Sequence, residues 1–218
     1  MIVMIEDWQY YHELGHGIIA HIFDGYLLDF KYLTFDVSEV KAQNFNSRDL
    51  GYTVALPIAN MNDFINEDIQ KAALIDGMYL LSGIIGATFL GKEQMNKLID
   101  ITPENFNKIL DLRGSDGDFE IINKARRPFG FLISNTTMSE VETLTLNCRV
   151  FNILREVFCR QEIQNGASAL YKILLASNKL IPEDFQNTFN TEITNSINAE
   201  ICSKISKEQF GNLLQLNK

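Results

Sequence analysis

The chain is expected to be mainly helical, an α+β domain with a small β-sheet beside its N-terminal helix and a helical bundle at its C-terminus. Three observations predict this. Apolar residues recur at helical spacing over most of the 218 residues. Two stretches, 26–37 and 51–57, are instead rich in aromatic and β-branched residues with partial alternation. No internal repeat, low-complexity segment or linker divides the sequence, so residues 1–218 read as a single domain. Within it, 1–135 form one half and 136–218 a C-terminal helical part. This length is enough to bury a substantial core.

The first helix has Glu6 and Asp7 in its opening turn, where the helix dipole favours anions. Tyr10, Tyr11, Leu14, Ile18, Ile19 and Ile22 give it an apolar face. Gly15 and Gly17 would weaken an isolated helix, so close backbone packing is expected there. Tyr26 to Val37 reads as one or two strands, Ser38 to Asp49 as a loop, and Gly51 to Leu56 as a further strand ended by Pro57. That last strand serves either as an edge that holds an extended peptide by main-chain pairing or as part of a structural hairpin. Asp63 to Leu90 is helical in pattern, with a break near Asp76-Gly77. Its portion from Ala72 to Gly91 approaches the length of a membrane span, but four glycines and Asp76 make it a buried core helix instead.

Thr102-Pro103-Glu104 signals a helix start. Arg113 to Glu120 is a Gly/Asp loop, with a helix beginning near Asp118; such a place presents a carboxylate or simply caps a helix. Ser139 to Gln164 reads as one long helix, Ala167 to Ser177 as another, and Leu180 to Phe185 as the start of a third. On this pattern Cys148 and Cys159 share a helix face, and the polar tail from Asn190 to Lys218 is peripheral.

Chemistry concentrates at His12-Glu13-Leu14-Gly15-His16. Four residues apart on a helix, two histidines stand on one face and their imidazoles can share a divalent metal, zinc being the usual occupant. Glu13, one residue round from His12, is placed to act as general base toward a metal-activated water. The remaining histidine, His21, lies about 140° round the helix from His16, off that face, and is expected to be structural. A third protein ligand is therefore required from a distant carboxylate or cysteine. The residues 1–135 are the metal-site half.

Composition narrows the partners. A net charge of −9 with no run of lysine or arginine argues against nucleic acid. Three widely spaced cysteines, none in a C-x-x-C pair, suit buried thiols in a reducing compartment and so a cytoplasmic location. The opening residues lack the positive start and apolar run of a signal peptide. No membrane span is expected.

Taken in order, these pieces resemble the zinc peptidase domain of the FtsH-type AAA proteases. His12 to Ala20 (HELGHGIIA) is similar to that family's H-E-A-G-H-A-x-x-A helix, and Leu50 to Pro57 (LGYTVALP) to its L-G-Y-T strand with a terminal proline. Leu80-Leu81-Ser82-Gly83 resembles its buried glycine helix, Gly114 to Phe119 (GSDGDF) its G-A-x-N-D-L element, and Leu170 to Phe185 its closing helices. The resemblance implies Zn2+ held by His12, His16 and Asp118, Glu13 as general base, and endopeptidase activity on peptide or unfolded-protein substrates. Three departures accompany it. No ATPase module or membrane anchor lies in these residues, which implies ATP-independent action on flexible segments, or a separate ATPase partner. Gly86-Ala87-Thr88 stands where the family has A-E-E, and Gly117 where it has asparagine. The family's ring assembly makes a homo-oligomer a further possibility.

Two alternatives stay open. H-E-L-G-H is also the spelling of ImmA/IrrE-type regulatory zinc peptidases, and Glu39, ahead of Ala42 and Phe45, resembles their downstream glutamate ligand. The domain could instead be a non-catalytic binding or scaffold protein that retains the peptidase fold.

Overall fold

The computed structural model describes residues 5–25, 28–36, 38, 52–57, 78–79, 81–90, 100–105, 108 and 140–206. The first helix, α1, runs from Asp7 to Ile22. Its start is set by a reciprocal contact: the Glu6 backbone N–H donates to Gln9 Oε1 at 2.8 Å, while the Gln9 N–H donates to the Glu6 carbonyl at 2.9 Å. Its far end is closed by Asn198, whose side-chain amide donates to the Ile22 carbonyl at 3.0 Å. Gly25 then turns the chain at a φ of 73°, a conformation that suits a residue without Cβ.

Among the described residues of the 26–37 stretch there is one strand, β1 (Leu28–Thr34), which pairs antiparallel with β2 (Tyr52–Pro57). A register shift between Phe30 and Tyr32 breaks the strict alternation of burial along β1. The other side of β1 pairs with a two-residue strand, β3 (Lys179–Leu180), giving the order β2-β1-β3. Phe30, Leu33 and Phe35 are buried, and both β1 and β2 pack on α1.

Residues 81–89 are helical and lie against α1 in backbone-to-backbone contact. A Cβ on Gly86 would stand 2.8 Å from the Gly15 Cα; one on Gly15 would stand 2.9 Å from the Ser82 carbonyl carbon and closer still to its oxygen. Gly15 therefore has the close backbone packing expected of it, whereas a Cβ on Gly17 would meet the Phe185 ring at 2.7 Å, a side chain and not backbone. Leu81, Ile84 and Ile85 are fully buried, and among the described residues no helix is long and apolar enough to cross a membrane. The remainder of the 63–90 helix, the 39–49 loop and the 113–120 loop lie outside the described residues.

The C-terminal part consists of α2 (Glu140–Phe158), α3 (Gln161–Ser177), α4 (Pro182–Thr188) and α5 (Thr191–Ser206). It corrects the sequence reading at two points. The expected single helix over 139–164 is broken: Arg160 is extended (φ −68°, ψ 142°) and begins α3. Gln164 stabilises this break, because its side-chain amide reaches both the Phe158 carbonyl at 2.6 Å and the Phe89 carbonyl at 2.8 Å. Cys159 thus sits beyond the end of α2 and is half-buried. Cys148 is buried within α2, and burial pushes its thiol up to about 11. The described part of the tail, residues 190–206, is not peripheral; 207–218 lie outside the described residues. Ile197 and Ile201 are buried, Ile193 packs against the core, and α5 contacts both α1 and α2. Three isoleucines four apart supply one apolar stripe, which outweighs the polar average of the segment. Pro182 stands in the first turn of α4, where its missing N–H costs nothing.

Candidate metal centre

Helix α1 brings His12 and His16 together as the four-residue spacing requires. Their Nε2 atoms are 3.1 Å apart and the rings meet edge to face at 82°. His16 is buried, and its Nδ1 lies 2.8 Å from the backbone carbonyl of Tyr79. A carbonyl can only accept, so this contact puts the His16 proton on Nδ1 and leaves Nε2 with its lone pair. Holding a ligand histidine through its second nitrogen is the usual means of fixing ring orientation at a metal. The same carbonyl accepts from Ser82 Oγ, and the Tyr79 ring lies 4.7 Å from the His16 ring, tilted by 31°.

Glu13, the general-base candidate, is held from strand β2. Thr53, on β2, donates its hydroxyl to Glu13 Oε2 at 2.9 Å and also lies 3.1 Å from the Glu13 carbonyl oxygen. Thr53 is itself placed by Tyr79, whose phenol donates to the Thr53 carbonyl at 2.8 Å. One tyrosine thus touches the histidine through its backbone and the strand through its side chain. The Gly15–Gly86 contact makes this possible, because it lets the Tyr79–Ser82 region approach α1 at the turn that carries His16.

His12 and His16 supply two of the three protein donors that a zinc site needs. Two nitrogens bound at about 2.0–2.1 Å in tetrahedral geometry are separated by about 3.3–3.4 Å. The observed 3.1 Å is close to that edge. The same spacing also admits a hydrogen bond from His12 Nε2 to His16 Nε2, the form the pair can take without metal. Asp118 and Glu39, the two carboxylates considered as third ligand, lie outside the described residues. Among the described residues, no group of three or more His, Cys, Asp or Glu side chains could hold a metal.

His21 is away from this centre, as its position round the helix requires. It is buried beside the rings of Phe185 and Phe189, and its Nε2 lies 3.3 Å from Thr194 Oγ1. Burial lowers its pKa from 6.5, against the opposing pull of Asp24 and the Phe189 backbone. The unfolded chain then binds this proton more readily than the folded one. Stability carried by neutral His21 is accordingly complete above about pH 6.5 and is lost as pH falls below it. Thermal midpoints of the metal-free chain between pH 7.5 and 5 should fall more steeply for wild type than for His21→Gln. Equal slopes would remove His21 as the cause.

Thr53, Tyr79 and Ser82 are the members of the site that residue spacing did not reveal. Thr53 reads as one residue of a strand, and the contribution of Tyr79 to His16 is made by a backbone atom that every residue possesses. No protein-family model, curated protein or solved structure matches the chain.

Proposed function

We propose that the chain is a zinc metalloendopeptidase that hydrolyses peptide bonds in flexible protein or peptide substrates without ATP, with the fold of the FtsH-type peptidase domain it resembles. The observation that carries this reading is the convergence of two Nε2 atoms at 3.1 Å, with the His16 tautomer set by a carbonyl and the Glu13 carboxylate anchored one residue away. Zinc, when bound, supplies a Lewis acid that polarises the scissile carbonyl and makes water a nucleophile near neutral pH. His12 and His16 present neutral ring nitrogens to hold it, and Asp118 is the proposed third ligand. Glu13 accepts a proton from the attacking water on a carboxylate oxygen and delivers it to the amine nitrogen of the departing peptide. A site that only bound metal would have no use for that carboxylate. Strand β2 lies at the edge of the described sheet, the kind of edge on which an extended substrate pairs through its main chain. Folded substrates call for a partner ATPase or an assembly of several copies. A cytoplasmic location is part of this proposal, in keeping with three widely spaced cysteines and no C-x-x-C pair.

Zinc content and cleavage of an unstructured protein such as casein test the reading in wild type, Asp118→Ala and Glu39→Ala. Asp118→Ala should lose metal and cleavage together, while Glu39→Ala should keep both. Loss of zinc in Glu39→Ala alone would replace the FtsH-type ligand set with the ImmA/IrrE-type one. Folded, zinc-loaded wild type that cleaves nothing would overturn the peptidase function and leave a binding or scaffold role.

A further inference from the structure

The geometry points to Thr53 and Tyr79 as positioning residues for the general base, an inference that rests on the peptidase reading and extends it to the parts that aim Glu13. The last torsion of a glutamate side chain is broad and roughly two-fold, so an unanchored carboxylate samples many directions at small cost. A base has to meet the proton it removes within hydrogen-bond reach. Thr53 removes that freedom. Its hydroxyl holds Oε2 at 2.9 Å, and once one oxygen is fixed the other has a defined direction as well. A hydroxyl has a single proton, and Thr53 Oγ1 has two acceptors on the same residue, the carboxylate and the carbonyl 3.1 Å away. Both acceptors belong to Glu13, so either choice keeps the hydroxyl against that residue. The carboxylate is the nearer acceptor and the stronger one when ionised.

Thr53 is buried and lies on a strand, not on α1, so its aim depends on how β2 is seated against the helix. The Tyr79 phenol fixes that seat through the Thr53 carbonyl at 2.8 Å. Tyr79 also gives its own carbonyl to His16 Nδ1 at 2.8 Å. The ligand and the base, three residues apart on α1, are thereby referenced to one tyrosine outside the helix. Thr53→Val removes the hydroxyl with little change of shape, Thr53→Ser restores it, and Tyr79→Phe removes the phenol while keeping the carbonyl that meets His16.

The experiment combines steady-state cleavage of a fluorogenic peptide, zinc content, and a double-mutant cycle by denaturant unfolding of the metal-free chain. Thr53→Val should retain zinc, keep KM within a few-fold, and lose about 10- to 100-fold in kcat, the range typical of residues that orient a reacting group. Thr53→Ser should recover most of that loss, and Tyr79→Phe should fall between them. In the cycle, Thr53→Val should lower the unfolding midpoint of wild type by more than it lowers that of Glu13→Ala, because in the second background the carboxylate acceptor is already gone and only the main-chain carbonyl is left to the hydroxyl. Additive midpoints, an unchanged kcat in Thr53→Val, or an effect confined to KM would each overturn the positioning role while active wild type left the peptidase reading standing. Absence of cleavage by zinc-loaded wild type would overturn that reading, and with it any catalytic duty for Thr53 and Tyr79.

Discussion

Glu13→Gln is expected to keep its zinc and to lose about 10²- to 10⁴-fold in kcat, the usual contribution of a general base. Glutamine has the same shape and can still accept from the Thr53 hydroxyl through its amide oxygen, so the contact at Oε2 has a substitute. His12 and His16 remain on the same turn with Nδ1 of His16 on the Tyr79 carbonyl. What disappears is the capacity to take a proton. Metal analysis and single-turnover cleavage of a peptide, measured on the same preparation, check both halves of the expectation. A variant that cleaves like wild type would show that Glu13 is not the base. One that loses zinc would make it a ligand instead, and the assignment of Asp118 would have to be reconsidered.

Gly15→Ala should destabilise the fold by about 2 kcal/mol or more, although alanine is the better helix former by about 1 kcal/mol. The new Cβ would fall against the Ser82 carbonyl, with its carbon 2.9 Å away and its oxygen nearer. Backbone cannot rotate aside as the end of a side chain can, so the two helical segments have to separate. Gly86→Ala meets α1 from the other direction, 2.8 Å from the Gly15 Cα. In a chain of this size each kcal/mol moves the thermal midpoint by about 2–4 °C, so a fall of about 5 °C is expected for either variant. Separation would also draw the Tyr79 carbonyl off His16, and zinc affinity should weaken with stability. An unchanged midpoint in Gly15→Ala would mean that the two segments are not in close backbone contact in solution.

The parts of this molecule legible in the sequence are those governed by local periodicity. The i, i+4 histidines share a turn because helix geometry leaves no alternative. The aromatic and β-branched stretches became β1 and β2, and Pro57 ends β2. Gly15 of α1 signalled a close backbone approach, although not its partner, since Gly86 lies 71 residues further on. The break at Arg160 was not legible: neither glycine nor proline marks it, and it is stabilised by Gln164 reaching carbonyls of two separate helical segments. Strand β3 has two residues, too few for any alternation, and exists because Leu33 and Thr34 are there to pair with it. The link between Tyr79, Thr53 and Glu13 runs through one backbone carbonyl and one hydroxyl–carboxylate contact, and joins residues 26 and 40 positions apart. Composition has no way to display such a link.

The seating of α5 on the end of α1 has a consequence for how the protein is made. Asn198 and Ile22 are 176 positions apart, and Thr194 and His21 are 173 apart. Closing so long a loop costs only slightly more entropy than closing a short one, but contacts of this range slow the search for the native state. On the ribosome, the histidine-bearing segment emerges long before the residues that secure its far end. The last turn of α1 would spend that interval without Asn198 and Thr194, so its final seating is expected only after the α5 sequence has left the exit tunnel.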